Sequence, residues 1–249
     1  MNINICGRRE EGKTTLAMYL ARQRHKGIVV WDPRGMIQGV VVYGPDELQD
    51  AIEQKAWQRG PLVYRYDGAD HKEQFGQVTE ILFPPRFPLG GFAFIIDEAG
   101  MLQGPNSIDE NLARVVKQHP TFPPKEAVTV IQTNHRLAEF HGASKALMNE
   151  LYIFQTTHPG DLEKLAEHTD GDTQIMEAVK ALPRHSCVRY KYGRQAEGVS
   201  QWELWNDPSV WYVRTTGAAT GVDSDGAEGV EEETENASQP NAWDSLRVQ

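Results

Sequence analysis

Residues 7–15 read GRREEGKTT. Gly7 and Gly12 bracket four residues, and Lys13 and Thr14 follow at once, which completes the Gly-x-x-x-x-Gly-Lys-Thr pattern of a phosphate-holding loop. The two glycines let the backbone curl until successive N–H groups point inward at phosphate oxygens, and a helix beginning at Lys13 adds its positive end. Phosphate in such a loop is held by main-chain amides, so Gly7, Arg8, Arg9, Glu10, Glu11, Gly12, Lys13, Thr14 and Thr15 together form the expected nucleotide cradle. The charged side chains of Arg8 to Glu11 are then left to project outward, into solvent and local ion pairs, or toward a neighbouring subunit or nucleic acid. Lys13 is expected to reach the β- and γ-phosphates, and the Thr14 hydroxyl to complete a Mg2+ shell.

The flanks of the loop set the fold class. The apolar run NINIC precedes it, and Leu16, Ala17, Leu20 and Ala21 recur at helical spacing after it, giving strand, glycine loop, helix. GIVVWDP (27–33) reads as a second buried strand stopped by Asp32-Pro33, VVVYGP as a strand and turn before a helix carrying Ala51, Ile52 and Ala56, and PLVYRYDG as a further strand before the helix HKEQFGQVTEILF. After PPRFPLGG comes the most apolar run of all, FAFII, then a polar helix around 107–118, the strand AVTVIQTN, a helix near 143–149, the strand LYIFQ, helices within 160–181 and a strand or hairpin within 185–214. Strands that alternate with helices, several of them apolar on both faces, predict an α/β domain with a mostly parallel sheet flanked by helices on both sides.

Composition narrows the setting. The chain has 249 residues, ordinary apolar and charged shares of 39% and 24%, and two cysteines, so one large domain with reduced, buried thiols in the cytoplasm is expected. No stretch is long and apolar enough for a membrane segment, and the start lacks a signal-peptide pattern. The net charge of −10 is uneven: residues 215–249 hold eight acids and one base, a net −7, so that the body carries about −3 and remains compatible with a basic DNA-facing patch. The expected division is therefore a domain over 1–214 and an acidic, disordered tail over 215–249, whose last residues, AWDSLRVQ, form either a docking peptide or a frayed end.

Two further stretches carry chemistry. FAFIIDE (92–98) is a buried strand ending in acids at its carboxyl edge, which puts Asp97 where it can hold a metal beside the phosphates and Glu98 where it can polarise an attacking water. VTVIQTNHR (128–136) is a strand with polar residues at its end. Several strands separate the glycine loop from Asp97-Glu98. That order resembles the RecA-like P-loop NTPases of the additional-strand, catalytic-glutamate class, in which the strand beside the Asp-Glu strand ends in a residue that senses the γ-phosphate. Gln132, Thr133 and Asn134 are the candidates for that sensor, Asn134 first and Gln132 second.

Taken with NLARVVKQHP, with LYIFQTTHPGD and its Phe154-x-x-x-x-Pro159-x-Asp161 turn, and with the later IMEAVKALPRHSCVRY, these motifs resemble the FtsK–HerA superfamily of DNA-translocating ATPases, over roughly residues 1–192. The resemblance is nearest to the genome-packaging ATPases of tailless icosahedral viruses and related phages. The chain departs from that pattern in the loop, where family members carry small residues and this one carries charges. The resemblance implies ATP and Mg2+ as cofactors, double-stranded DNA as the track, a homo-oligomeric ring of usually six subunits, and an arginine reaching the neighbouring subunit's γ-phosphate. Arg114 is the candidate for that arginine, with Arg136 in reserve, while Arg86 and Lys125 are candidate pore contacts. The tail would tether a capsid or portal-vertex protein. Readings that stay open are a conjugation, segregation or filament-assembly ATPase of the same superfamily, a small-molecule kinase, and a nucleotide-dependent switch. The tryptophans at 202, 205 and 211 are expected to pack at a sheet edge or subunit interface.

Overall fold

The computed structural model describes residues 1–65, 70–83, 91–118, 127–192 and 202–205. The elements in order are β1 (Asn2–Cys6), α1 (Lys13–Arg24), β2 (Gly27–Trp31), β3 (Val40–Val42), α2 (Pro45–Glu53), β4 (Leu62–Tyr64), α3 (His71–Leu82), β5 (Phe92–Ile96), β6 (Gln103–Gly104), β7 (Ser107–Ile108), α4 (Glu110–Gln118), β8 (Thr129–Asn134), α5 (Gly142–Ala146), β9 (Glu150–Phe154), α6 (Pro159–His168), α7 (Thr173–Ala181), β10 (Cys187–Lys191) and β11 (Trp202–Trp205).

Nine strands form one sheet in the order β11-β10-β9-β1-β8-β5-β2-β4-β3. Seven of them, β9 through β3 in that order, pair in parallel, and β10 and β11 close one edge as an antiparallel hairpin. The predicted mostly parallel α/β sheet is thus present. β1 lies between β8 and β9, and β8 lies between β1 and β5, so the glycine loop, the Asp97-Glu98 corner and the end of β8 emerge side by side at the carboxyl edge.

Strand alternation divides the core. Ile3, Ile5, Ile28, Val30, Ala93, Ile95 and Ile131 turn to the face packed by α1 through Leu16, Ala17 and Leu20. The alternate residues Val29, Phe94, Ile96 and Val130 turn to the other face, against α2, α3 and α4, while Cys6, Leu151 and Ile153 meet α6 and α7 there. The helices do cover both faces, but unequally: among the described residues α1 alone represents one side and six helices the other.

Local chemistry sets the element ends. Gly12 enters α1 with φ 101°, a left-handed conformation that suits glycine, and Arg22 and Arg24 occupy the last turn, where positive charge favours the helix end. Asp70 caps α3 by accepting the Lys72 and Glu73 amides, and Asp172 caps α7 in the same way. Two sequence boundaries shift. The helix expected from residue 107 begins at Glu110, because the Asp109 carboxylate accepts the Asn111 and Leu112 amides and residues 103–108 fold into the β6–β7 hairpin. The helical stretch 160–181 is interrupted at Asp170-Gly171, both with positive φ. At the sheet edge Trp205 meets Tyr19 and Tyr152 with ring centroids 5.9 and 6.1 Å away, and Trp202 donates to Asp172 at 3.1 Å, so both tryptophans pack as expected. Trp211, Arg86, Lys125 and the tail over 215–249 lie outside the described residues.

Candidate nucleotide site

The loop leaves β1 at Gly7, whose amide donates to the Asn134 carbonyl at 3.2 Å. Gly7 has no room for a side chain, since a Cβ there would fall 2.6 Å from the Phe154 Cβ. Arg8, Arg9 and Glu10 are exposed, as the outward-facing reading requires. Arg8 donates to the Thr157 hydroxyl at 3.2 Å, Glu10 lies 3.8 Å from Arg184 in a solvent-exposed pair of little energetic weight, and His185 contacts the Glu11 carbonyl at 3.1 Å.

Inside the loop Lys13 donates to the carbonyls of Gly7 and Arg8, both at 2.9 Å, and is 7% exposed. Its ammonium is folded into the cradle where a phosphate would sit. Burial lowers the Lys13 pKa, while the nearby Glu98 and Asp97 carboxylates act against that fall.

Thr14, one residue on, donates to Asp97 Oδ1 at 3.0 Å, and Thr133 donates to the same oxygen at 2.8 Å. Asp97 is 5% exposed, and its burial raises the carboxyl pKa against the two hydroxyl bonds that favour the charged form. A carboxyl group whose folded pKa lies above its unfolded value costs stability once ionised. The cost is full above the folded pKa, shrinks as pH falls through it, and is gone below the unfolded one. Asp97→Asn keeps an oxygen for both threonines and removes the buried charge, so a thermal melt near neutral pH should show a higher Tm for the variant than for the parent. A lower Tm would mean that the charge is already compensated.

Glu98 takes a left-handed backbone conformation, φ 55° and ψ 47°, uncommon for a side chain of its size, and its amide donates to the Thr133 hydroxyl at 3.1 Å. Its carboxylate Oε2 sits 2.8 Å from His135 Nε2 and 3.2 Å from an Arg34 nitrogen. His135 Nδ1 in turn lies 3.4 Å from Lys13 Nζ. Burial, followed by the charges of Lys13 and Arg34, lowers the His135 pKa, which favours the neutral ring. His135 Nε2 also lies 3.2 Å from Arg34 Nη2, so this nitrogen accepts from Arg34 in one tautomer and faces Glu98 with its N–H in the other.

The structure therefore brings Gly7, Gly12, Lys13, Thr14, Asp97 and Glu98 together. It does not bring in every candidate. Of the three residues at the end of β8, Thr133 turns to Asp97, because it shares the α1 face with Ile131, whereas Gln132 and Asn134 share the opposite face with Val130. Gln132 is fully buried and bonded to Gln103 at 2.7 Å, in a network that continues to Ser144 and the His141 amide. Asn134 reaches the loop through its backbone carbonyl, while its buried side-chain amide lacks a partner among the described residues and lies against Gly100. Arg114 is on α4, away from the α1 face, and donates to the Thr79 hydroxyl of α3 at 2.9 Å. Arg136 stands at the carboxyl end of β8, 2.9 Å from His158 and 3.7 Å from Asp161. Arg34, His135 and the specific role of Thr133 were not anticipated. The signals were available: DPRG follows a strand at the same edge, and the parity of β8 selects Thr133 once Ile131 is assigned to the core.

A mostly parallel sheet with this strand order, a glycine loop from a central strand and an acid pair two strands away make a P-loop NTPase fold. Solved structures agree. The genome packaging NTPase B204 of Sulfolobus turreted icosahedral virus 2, in complex with AMPPCP, superposes with a TM-score of 0.64 at 16% identity, covering 82% of this chain and 96% of that one. B204, the DNA-packaging ATPase of Sulfolobus turreted icosahedral virus, gives 0.59 at 15% identity over 82% and 96%. VirB4 of Thermoanaerobacter pseudethanolicus gives 0.55 at 11% identity over 76% and 86%. No protein-family model matches the chain, and no curated protein matches it.

Proposed function

We propose that the protein is a Mg2+-dependent ATPase that couples hydrolysis to movement of double-stranded DNA, as one subunit of a homo-oligomeric ring that packages a viral genome into a capsid. The observation that carries this reading is the convergence of the Thr14 and Thr133 hydroxyls on Asp97, with Lys13 across the loop and Glu98 one residue on. The fold shared with the B204 packaging ATPases, one of them in complex with AMPPCP, supports the nucleotide and the cargo.

In this reading the loop amides and Lys13 bind the phosphates. Thr14 and Asp97 are hard oxygen donors suited to Mg2+, which when bound would neutralise phosphate charge. Glu98 accepts a proton from the attacking water. Arg114 is the proposed trans-acting arginine and Arg136 the alternative at the carboxyl edge; Asn134 and Gln132 remain proposed sensors only if their side chains turn on nucleotide binding. Residues 1–214 form the motor domain, and the acidic tail over 215–249 tethers a capsid or portal protein. The ring is hexameric and works in the host cytoplasm. Among the described residues no helix is long and apolar enough to cross a membrane.

Adding duplex DNA tests the motor. A DNA motor should hydrolyse ATP several-fold faster with duplex present, a kinase should respond to a phosphate acceptor instead, and a switch to neither. Hydrolysis indifferent to DNA at low and moderate salt would remove the translocation reading.

A further inference from the structure

We propose that Arg34 and His135 are the positioning residues of Glu98: together they pin one carboxylate oxygen and leave the other aimed at the attacking water. The inference rests on the ATPase reading and adds two residues to it.

Both contacts fall on Oε2, from His135 Nε2 at 2.8 Å and the Arg34 guanidinium at 3.2 Å. The nearest approach of each partner is to the same oxygen, so the carboxylate is oriented through Oε2. A carboxylate fixed at one oxygen loses most of its rotational freedom, which is the condition for a base to meet water in a productive geometry.

The two residues are themselves held. Arg34 projects from the turn after β2, where the Asp32 carboxylate accepts the Ile37 amide at 2.8 Å, the Gly35 amide donates to the Asp32 carbonyl at 3.3 Å, and Arg65 donates to the Ile37 carbonyl at 3.1 Å. Gly35 supplies the positive φ, 67°, that the turn requires, and Ile37 anchors it in the core at 5% exposure. His135 follows β8 directly and touches Lys13 with its second ring nitrogen. The arrangement therefore links the phosphate-binding lysine to the base through one imidazole.

Steady-state hydrolysis, binding of a fluorescent ATP analogue and imidazole 15N spectra of the full chain test the proposal. Arg34→Ala and His135→Ala should each lower kcat by about 10- to 100-fold, with analogue affinity within about twofold of the parent, and Arg34→Lys should fall between. Because Arg34 acts through Glu98, Arg34→Ala placed in a Glu98→Gln background should change the residual rate by less than about twofold. In the nucleotide-free parent the His135 Nε2 signal should shift on Glu98→Gln and on Arg34→Ala. The proposal is overturned by an equal loss of rate in the Glu98→Gln background, by an affinity loss that matches the kcat loss, by an unchanged kcat, or by a His135 signal indifferent to Glu98. A parent that does not hydrolyse ATP would overturn the ATPase reading instead, and the imidazole signal would then decide the contact on its own.

Discussion

Glu98→Gln is expected to bind ATP with near-parental affinity and to turn it over at least about 100-fold more slowly. Glutamine keeps the length and an oxygen at the position that His135 and Arg34 hold, so the fold and the pocket should survive the change. What it removes is the ability to accept a proton. The backbone at Glu98 is over-determined by its left-handed conformation and by the amide bond to Thr133, which leaves no neighbouring residue of the turn able to supply a substitute carboxylate at the same point. Asp97 is close, but its Oδ1 already accepts two hydroxyls, and it is 5% exposed. Single-turnover hydrolysis beside a binding titration separates the two effects. Parental turnover in the variant would take the general-base role away from Glu98.

Lys13→Ala is expected to weaken nucleotide binding by about 100-fold or more, through loss of a charge-assisted contact to phosphate inside a buried loop. The ammonium is 7% exposed and already neutralises the inward dipoles of two loop carbonyls, so its removal costs both the phosphate contact and the conformation of the cradle. A variant that still bound ATP with parental affinity would show that the main-chain amides suffice and that Lys13 has another task.

Much of this site could be read from residue order. The glycine loop is local: two glycines, a lysine and a threonine within eight residues dictate a backbone shape whatever surrounds them, and the apolar run and helix on either side fix its place in a sheet. Asp97-Glu98 was legible because five apolar residues can end in two acids only where a buried strand reaches a polar edge. The limits came from contacts that sequence spacing does not encode. Residue type ranks Asn134 and Gln132 ahead of Thr133, whereas the face that each presents is set by the pairing of β8 with β1 and β5. Arg34 is 64 residues from Glu98 in the chain, and only the β2–β5 pairing makes the two neighbours. Arg114 fitted a position in the order of elements, but the packing of α4 on α3 gives its guanidinium a partner, Thr79, within its own chain. The unequal cover of the sheet was hidden for a related reason: apolar strands announce that both faces are buried without saying by what.

The central claim is that the glycine loop and the Asp97-Glu98 corner, brought together from separate strands, hold one Mg2+–triphosphate. Calorimetric titration of the intact protein with Mg2+ and a non-hydrolysable ATP analogue tests it most directly. Saturable binding of one nucleotide per chain is expected, weakened when Mg2+ is withheld and weakened about 100-fold or more in Lys13→Ala. Absence of binding to the intact protein, or binding unaffected by Lys13→Ala, would contradict it.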